Sequence, residues 1–106
     1  MGRHLGLSST LILAALEARV CYGLDITQRT GLLPGTVYTT LRRLEKRELV
    51  CGEWEAPEIA EVERRPRRRY YSLTPSGEVE LAQGRARLAA LPFGFGVPAA
   101  DGVERE

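Results

Sequence analysis

The rhythm of apolar and polar positions changes several times along this chain, and each change marks an element. Leu11, Ile12, Leu13, Ala14, Ala15 and Leu16 make a run that is apolar on nearly every side, with Ser8 or Ser9 ahead of it to cap a helix reaching about Val20. Residues 1–7 read as a flexible lead. Such a helix must be covered twice, by its own domain and by a second subunit, unless the fold encloses it. Tyr22-Gly23 breaks the pattern, and Leu24 to Thr30 forms a short helix closed by Gly31, with Asp25 near its positive end. Pro34 suits the first turn of the next helix, in which Val37, Leu41 and Leu44 recur at i, i+4 and i+7 as far as Arg47. The GLLPG turn between them has the length of a helix-turn-helix.

Beyond Arg47 the period shortens. Leu49 to Trp54 and Arg69 to Leu73 are β-branched and aromatic, and are predicted to pair as a hairpin. Thr74-Pro75 then caps a last helix ending near Leu91-Pro92. Its apolar residues fall on two arcs, Leu81, Leu88 and Leu91 with Gly84 between them, and Val79, Ala82, Ala86, Ala89 and Ala90. One arc suits the body of the domain and the other a neighbouring protomer, although a single domain with an alanine-rich outer face has the same pattern. From residue 92 the chain reads as a disordered tail. The fold class is mainly α with a small β-hairpin.

Opposite the apolar stripe of the Pro34 helix lie Gly35, Tyr38, Thr39, Arg42, Arg43 and Lys46, with Glu45 the one carboxylate nearby. Hydroxyl, phenol and guanidinium groups on one face suit phosphates and base edges; the plainer reading is a solvated surface. Between the strands, Glu53, Glu55, Glu58, Glu61 and Glu63 precede Arg64, Arg65, Arg67, Arg68 and Arg69. The two blocks either neutralise each other or form a mobile basic wing beside nucleic acid, and the preceding helix-turn-helix favours the wing. Net charge is only +1, but residues 1–50 hold seven Lys/Arg against four Asp/Glu while residues 76–106 hold three against five. Positive charge is thus gathered around the helix-turn-helix and the wing, as in a binding footprint.

Other chemistries find little support. Cys21 and Cys51 have no CxxC spacing and fit small buried hydrophobes in a reducing compartment, and the single His4 sits in the lead. No metal cluster, cofactor motif or nucleophile–base set can be assembled, so the chain does not read as an enzyme. With no apolar run of about 18 residues and no signal-type start, it reads as cytoplasmic, without a membrane partner. Trp54, Tyr70 and Tyr71 either pack the hairpin or line an aromatic effector site.

Taken in order, YGLDI at Tyr22 to Ile26, LLPGTVYTTLRRLEKRELV at Leu32 to Val50, Trp54, and RPRRRYYSLTPSGE at Arg65 to Glu78 resemble the PadR family of bacterial transcriptional regulators over roughly residues 8–91. The resemblance implies a winged helix-turn-helix DNA-binding domain over residues 8–75 and a dimerisation helix over residues 76–91. It further implies a homodimer built through the first and last helices, and repression at a palindromic operator, often with release by a small effector. Carried over residue by residue, Gly35, Thr36 and Tyr38 match the helix start that meets the DNA backbone, Arg42 and Arg43 the basic turn, and Arg67, Arg68 and Arg69 the wing. Apart from the resemblance, Thr39 and Arg42, further round the exposed face of the helix, are the candidates for base edges. The chain departs from the family at Leu33, where a hydroxyl residue is common, and at Thr39, where a proline is. The alternative is a winged helix that binds an acidic protein partner through its wing.

Overall fold

The computed structural model describes residues 5–92; the expectations for His4 and for the tail from Phe93 onward lie outside them. Helix α1 (Leu7–Glu17) starts one residue before Ser8, with Gly6 at its cap and no side-chain cap. The serines lie inside the first turn, and Thr10 supplies the polar closure by donating from both its N–H and its Oγ1 to the Gly6 carbonyl at 3.1 and 3.2 Å. The helix also ends sooner than its composition suggests. Arg19 adopts φ 69°, its N–H donates to the Leu16 carbonyl, and the Val20 N–H donates to that of Ala15, so the chain turns away with Val20 buried.

Helix α2 (Gly23–Thr30) closes on Gly31 at φ 75°, as expected, and α3 (Pro34–Lys46) follows. Val37, Leu41 and Leu44 are buried with Thr40 beside them, so the i, i+4, i+7 stripe faces inward. The end of α3 repeats the device seen in α1. Glu48 sits at φ 62°, donating to Glu45, while Leu49 donates to Leu44 and buries its side chain.

Strands β1 (Val50–Trp54) and β2 (Arg69–Leu73) pair antiparallel from Val50↔Leu73 to Trp54↔Arg69. The other edge of β2 is not left bare: Tyr22 bridges Tyr70, and the Tyr71 N–H donates to the Cys21 carbonyl at 2.9 Å. The link between the strands contains a short helix, α4 (Pro57–Val62), in place of the mobile wing expected there. Pro57 occupies a first-turn position, and Arg64 at φ 54° ends the helix with the same pair of backbone bonds as Arg19 and Glu48.

Helix α5 (Pro75–Ala89) opens on Thr74, whose Oγ1 accepts from the Gly77 N–H at 3.0 Å while donating to the Glu48 carbonyl at 2.8 Å. The start of α5 is thereby fastened to the turn after α3. At Gly77 the fit leaves no space, because a Cβ there would overlap the Leu49 carbonyl oxygen. Helix α1 lies at the centre, touching α2, α3, α5 and β2, with Ile12 and Leu13 fully buried among Ile26, Leu41, Leu44 and Leu81. Most of α1 is therefore enclosed by its own chain. On α5 the two arcs separate: Leu81 and Gly84 are buried, while Val79, Ala82, Ala86 and Ala89 are exposed. Neither cysteine is in a disulfide; Cys21 is half-buried and Cys51 is exposed.

Candidate nucleic-acid interface

The outer face of α3 is built by the burial of its inner one. With Val37 and Leu41 at the core, Gly35, Tyr38, Thr39, Arg42, Arg43 and Lys46 all face solvent and Thr36 lies half-buried at the edge. Leu33 sits at the cap position without a capping side chain and is 73% exposed, so the first-turn N–H groups of Gly35 and Thr36 carry no cap. Uncapped first-turn amides and a helix dipole are attractive to an anion. Tyr38 is steadied from below, its ring lying against Gly23 at the start of α2. Leu33, Gly35, Thr36, Thr39, Thr40 and Arg43 line a shallow open depression along this face.

The wing is organised around a residue not singled out from the sequence, Glu55. It is a buried carboxylate, 7% exposed, at the end of β1. Arg65 grips it with two guanidinium nitrogens at 2.7 and 2.8 Å, the Arg68 N–H donates to it at 3.2 Å and the Tyr70 hydroxyl at 3.4 Å. The Glu55 backbone takes part as well, its N–H donating to the Arg68 carbonyl at 2.8 Å and its carbonyl accepting from Arg67 Nε at 2.9 Å. Hydrogen bonding from Arg65 holds the Glu55 carboxyl down at about 2 from an ordinary 4.5, against the opposing effect of burial and with help from the Arg68 amide. Arg65 is raised above its ordinary value, chiefly by its bond to Glu55.

The five arginines therefore divide. Arg64 and Arg67 are exposed, and Arg67 lies 5.6 Å from the Trp54 ring. Arg65 is committed to Glu55, and its Nε also donates to the exposed Glu63 carboxylate at 3.0 Å. Arg68 is half-buried, its guanidinium 4.1 Å over Tyr22 and 3.5 Å from the Tyr70 hydroxyl, with Tyr22 and Tyr70 meeting edge to face at 5.7 Å. Arg69 reaches α3 and donates to Glu45 at 2.7 Å. The structure thus places Gly35, Tyr38, Thr39, Arg42, Arg43 and Arg67 at the surface, Thr36 at its edge, and Arg68 and Arg69 in internal contacts. Trp54, Tyr70 and Tyr71 do not share a pocket: strand alternation puts Tyr70 on the opposite face from Tyr71, which is buried, while Trp54 is 57% exposed. Among the described residues no metal-binding cluster occurs, and no helix is long and apolar enough to cross a membrane.

Known structures share this fold. A PadR family transcription regulator from Clostridium difficile R20291 is 28% identical, superposing with a TM-score of 0.68 over 78% of this chain and 88% of that one. A PadR-like transcription factor from Bacteroides fragilis is 30% identical, with a TM-score of 0.61 over 74% and 77% of the two chains. A point mutant of S. aureus MepR bound to an oligodeoxyribonucleotide is similar in fold, at 21% identity and a TM-score of 0.64 over 79% of this chain and 58% of that one. No curated protein matches by sequence. The profile of the transcriptional regulator PadR-like family matches residues 12–83, so the chain belongs to that family, and it is a winged-helix regulator of transcription and not an enzyme.

Proposed function

We propose that this chain is a cytoplasmic repressor that binds a palindromic operator as a homodimer and is released by a small effector held between protomers. The observation that carries the DNA reading is the outer face of α3, where Thr39, Arg42 and Arg43 stand exposed together above a buried stripe, with Arg67 exposed on the wing. In this reading the two copies of α3 enter major grooves about 34 Å apart. Gly35 and Thr36 meet phosphate through their free amides, Tyr38 and Arg43 position the helix, and Thr39 and Arg42 address base edges. Arg67 holds a flanking phosphate, while Arg68 and Arg69 support the wing from within. The exposed arc of α5, with Val79 at 54%, supports a protomer contact through the 76–91 segment. The MepR structure bound to an oligodeoxyribonucleotide lends the fold a DNA-binding precedent.

Fluorescence anisotropy on operator and random duplexes tests the division of labour. Arg42→Ala should cost about 1–3 kcal/mol on the operator and relax one base position, whereas Arg67→Ala should weaken both duplexes alike and reduce the salt slope by about one. Equal loss on both duplexes for both variants would refute it.

A second reading has one observation in its favour. Helix α4 exposes Ile59 at 48% and Val62 at 82% between Glu58, Glu61 and Glu63, an apolar and acidic surface suited to a protein. A module that binds only proteins shows no salt-dependent association with random DNA at low salt.

A further inference from the structure

Arg69 stands at the start of β2, in register with Trp54 at the end of β1. Its side chain does not extend away from the wing but lies back across the hairpin. The guanidinium stacks 5.4 Å from the Trp54 ring and 5.7 Å from the Tyr71 ring, and Nη2 meets Glu45 Oε2 at 2.7 Å. The path crosses Gly52, where a Cβ would stand 2.8 Å from both Nε and Nη2. Any side chain at position 52 would press on the guanidinium. Glu45, for its part, is in the last turn of α3, where the helix dipole disfavours a carboxylate and a cation is the natural partner. Both side chains keep about a third of their exposure, 28% for Arg69 and 34% for Glu45, so the pair lies at the edge of the proposed DNA-facing surface.

We infer that Glu45 and Arg69 form a latch between the recognition helix and the wing, and that both act as positioning residues for DNA binding rather than as contacts to DNA. The pair spans 24 positions of sequence and joins the two elements that carry the outward cations, Arg42 and Arg43 on α3 and Arg67 beside the hairpin. The junction is otherwise held near the turn, by the buried Leu49 and Val50 and by the Thr74 bonds to the Glu48 and Leu49 carbonyls, whereas the pair ties the far edge of the hairpin to the last turn of α3. The latch explains why a carboxylate occupies the otherwise cationic outer rim of α3. It rests on the DNA-binding reading above.

Coulomb's law alone gives the opposite sign, and this makes the test sharp. Removing a carboxylate beside a polyanion should tighten binding if Glu45 is merely a surface charge. A duplex selected by the wild-type protein from a random library is the probe, titrated over a range of salt. The latch predicts that E45Q and R69Q each weaken binding roughly tenfold, that the double variant is no weaker than the weaker single, and that all salt slopes stay parallel to wild type. The charge-exchanged pair E45R/R69E should recover most of the affinity, since the link is restored with its polarity reversed. If R69Q instead flattens the slope by about one phosphate while E45Q binds as wild type or tighter, Arg69 is a direct contact and the latch is wrong, with the DNA reading intact. In that case E45R/R69E binds worse than E45R alone, because position 69 then repels phosphate, whereas a latch makes the exchanged pair bind better than E45R alone. A wild-type protein that selects no duplex and shows no salt-dependent binding overturns the DNA reading, and the latch with it. Trp54, the one tryptophan in the chain, gives a readout without DNA: its emission should shift in R69Q, where a stacking cation is lost, at an unchanged folded fraction.

Discussion

Replacing Gly77 by alanine should lower the thermal midpoint by about 12–24 °C, because among the described glycines it is the one where an added methyl group meets backbone most closely. The added Cβ falls on the Leu49 carbonyl oxygen, which belongs to backbone and cannot rotate aside. That carbonyl also accepts the Thr74 N–H at 3.1 Å, so a shift to relieve the overlap also loosens the bond at the base of α5. Thr74 in turn holds the Glu48 carbonyl and caps the helix through Gly77. The overlap, the cap and the turn after α3 are therefore strained together, and overpacking of this kind costs about 3 kcal/mol. In a domain of this size each kcal/mol moves the midpoint by about 4–8 °C. Gly35→Ala is the matched control, because a Cβ at position 35 meets nothing within 4 Å. It should melt at or slightly above the wild-type temperature, since alanine is the better helix former. Circular dichroism melts of the two variants side by side decide the matter, and a Gly77→Ala melt within a few degrees of Gly35→Ala would show that the junction yields.

The parts of the fold that could be read from the residues are those in which one local signal suffices. Gly31 had to end α2, Pro34 had to open α3, and Thr74-Pro75 had to cap α5, because backbone conformation and side-chain chemistry agree within a few positions at each. The i, i+4, i+7 spacing of Val37, Leu41 and Leu44 likewise told which face of α3 is inside, and therefore which side chains are outside. What could not be read was settled at a distance or against local preference. Three helices end on a left-handed residue that is not glycine, at Arg19, Glu48 and Arg64, so the usual stop signal is missing. In α1 and α3 the loss is offset by burial of the next apolar residue, Val20 or Leu49. Helix α4 was hidden for the same reason, and because its run of glutamates reads as a solvated block. The wing arginines posed a further difficulty. Composition gave five equivalent cations, but Glu55 is ten positions from Arg65 and Glu45 is twenty-four from Arg69, so nothing local tells which are already occupied. The outer face of α3 was thus legible as a list of residues, whereas the wing required the tertiary structure to separate its exposed arginines from its supporting ones.

Glu55→Gln should affect stability and DNA binding in opposite senses, and pH separates the two. In the folded protein the Glu55 carboxyl is held near 2, against 4.5 when free of its partners. A carboxyl depressed on folding contributes stability that is fully present above its unfolded value and lost as pH falls through the folded one. The wild-type midpoint should therefore hold steady at neutral pH and fall between about 4.5 and about 2. In Glu55→Gln this source of acid sensitivity is absent, so its curve should be lower at neutral pH, on the order of 5–10 °C, and should meet the wild-type curve near pH 2. The loss at neutral pH arises because Gln cannot balance the Arg65 guanidinium, leaving a half-buried cation without its bidentate partner. Arg65 still meets Glu63 at 3.0 Å, but that pair is exposed and weak, so with the bidentate hold gone the guanidinium turns outward beside Arg64 and Arg67. Binding to random duplex should then tighten and its salt slope steepen by about one, as expected for one more phosphate neutralised. Binding to operator should gain less or weaken, because the same change loosens the hold of Arg67 on the Glu55 carbonyl and so the placement of the flanking contact. The ratio of operator to random affinity is the quantity to follow. An unchanged ratio, or a Glu55→Gln melt parallel to wild type through the acid range, would show that the ionised carboxylate does not organise the wing.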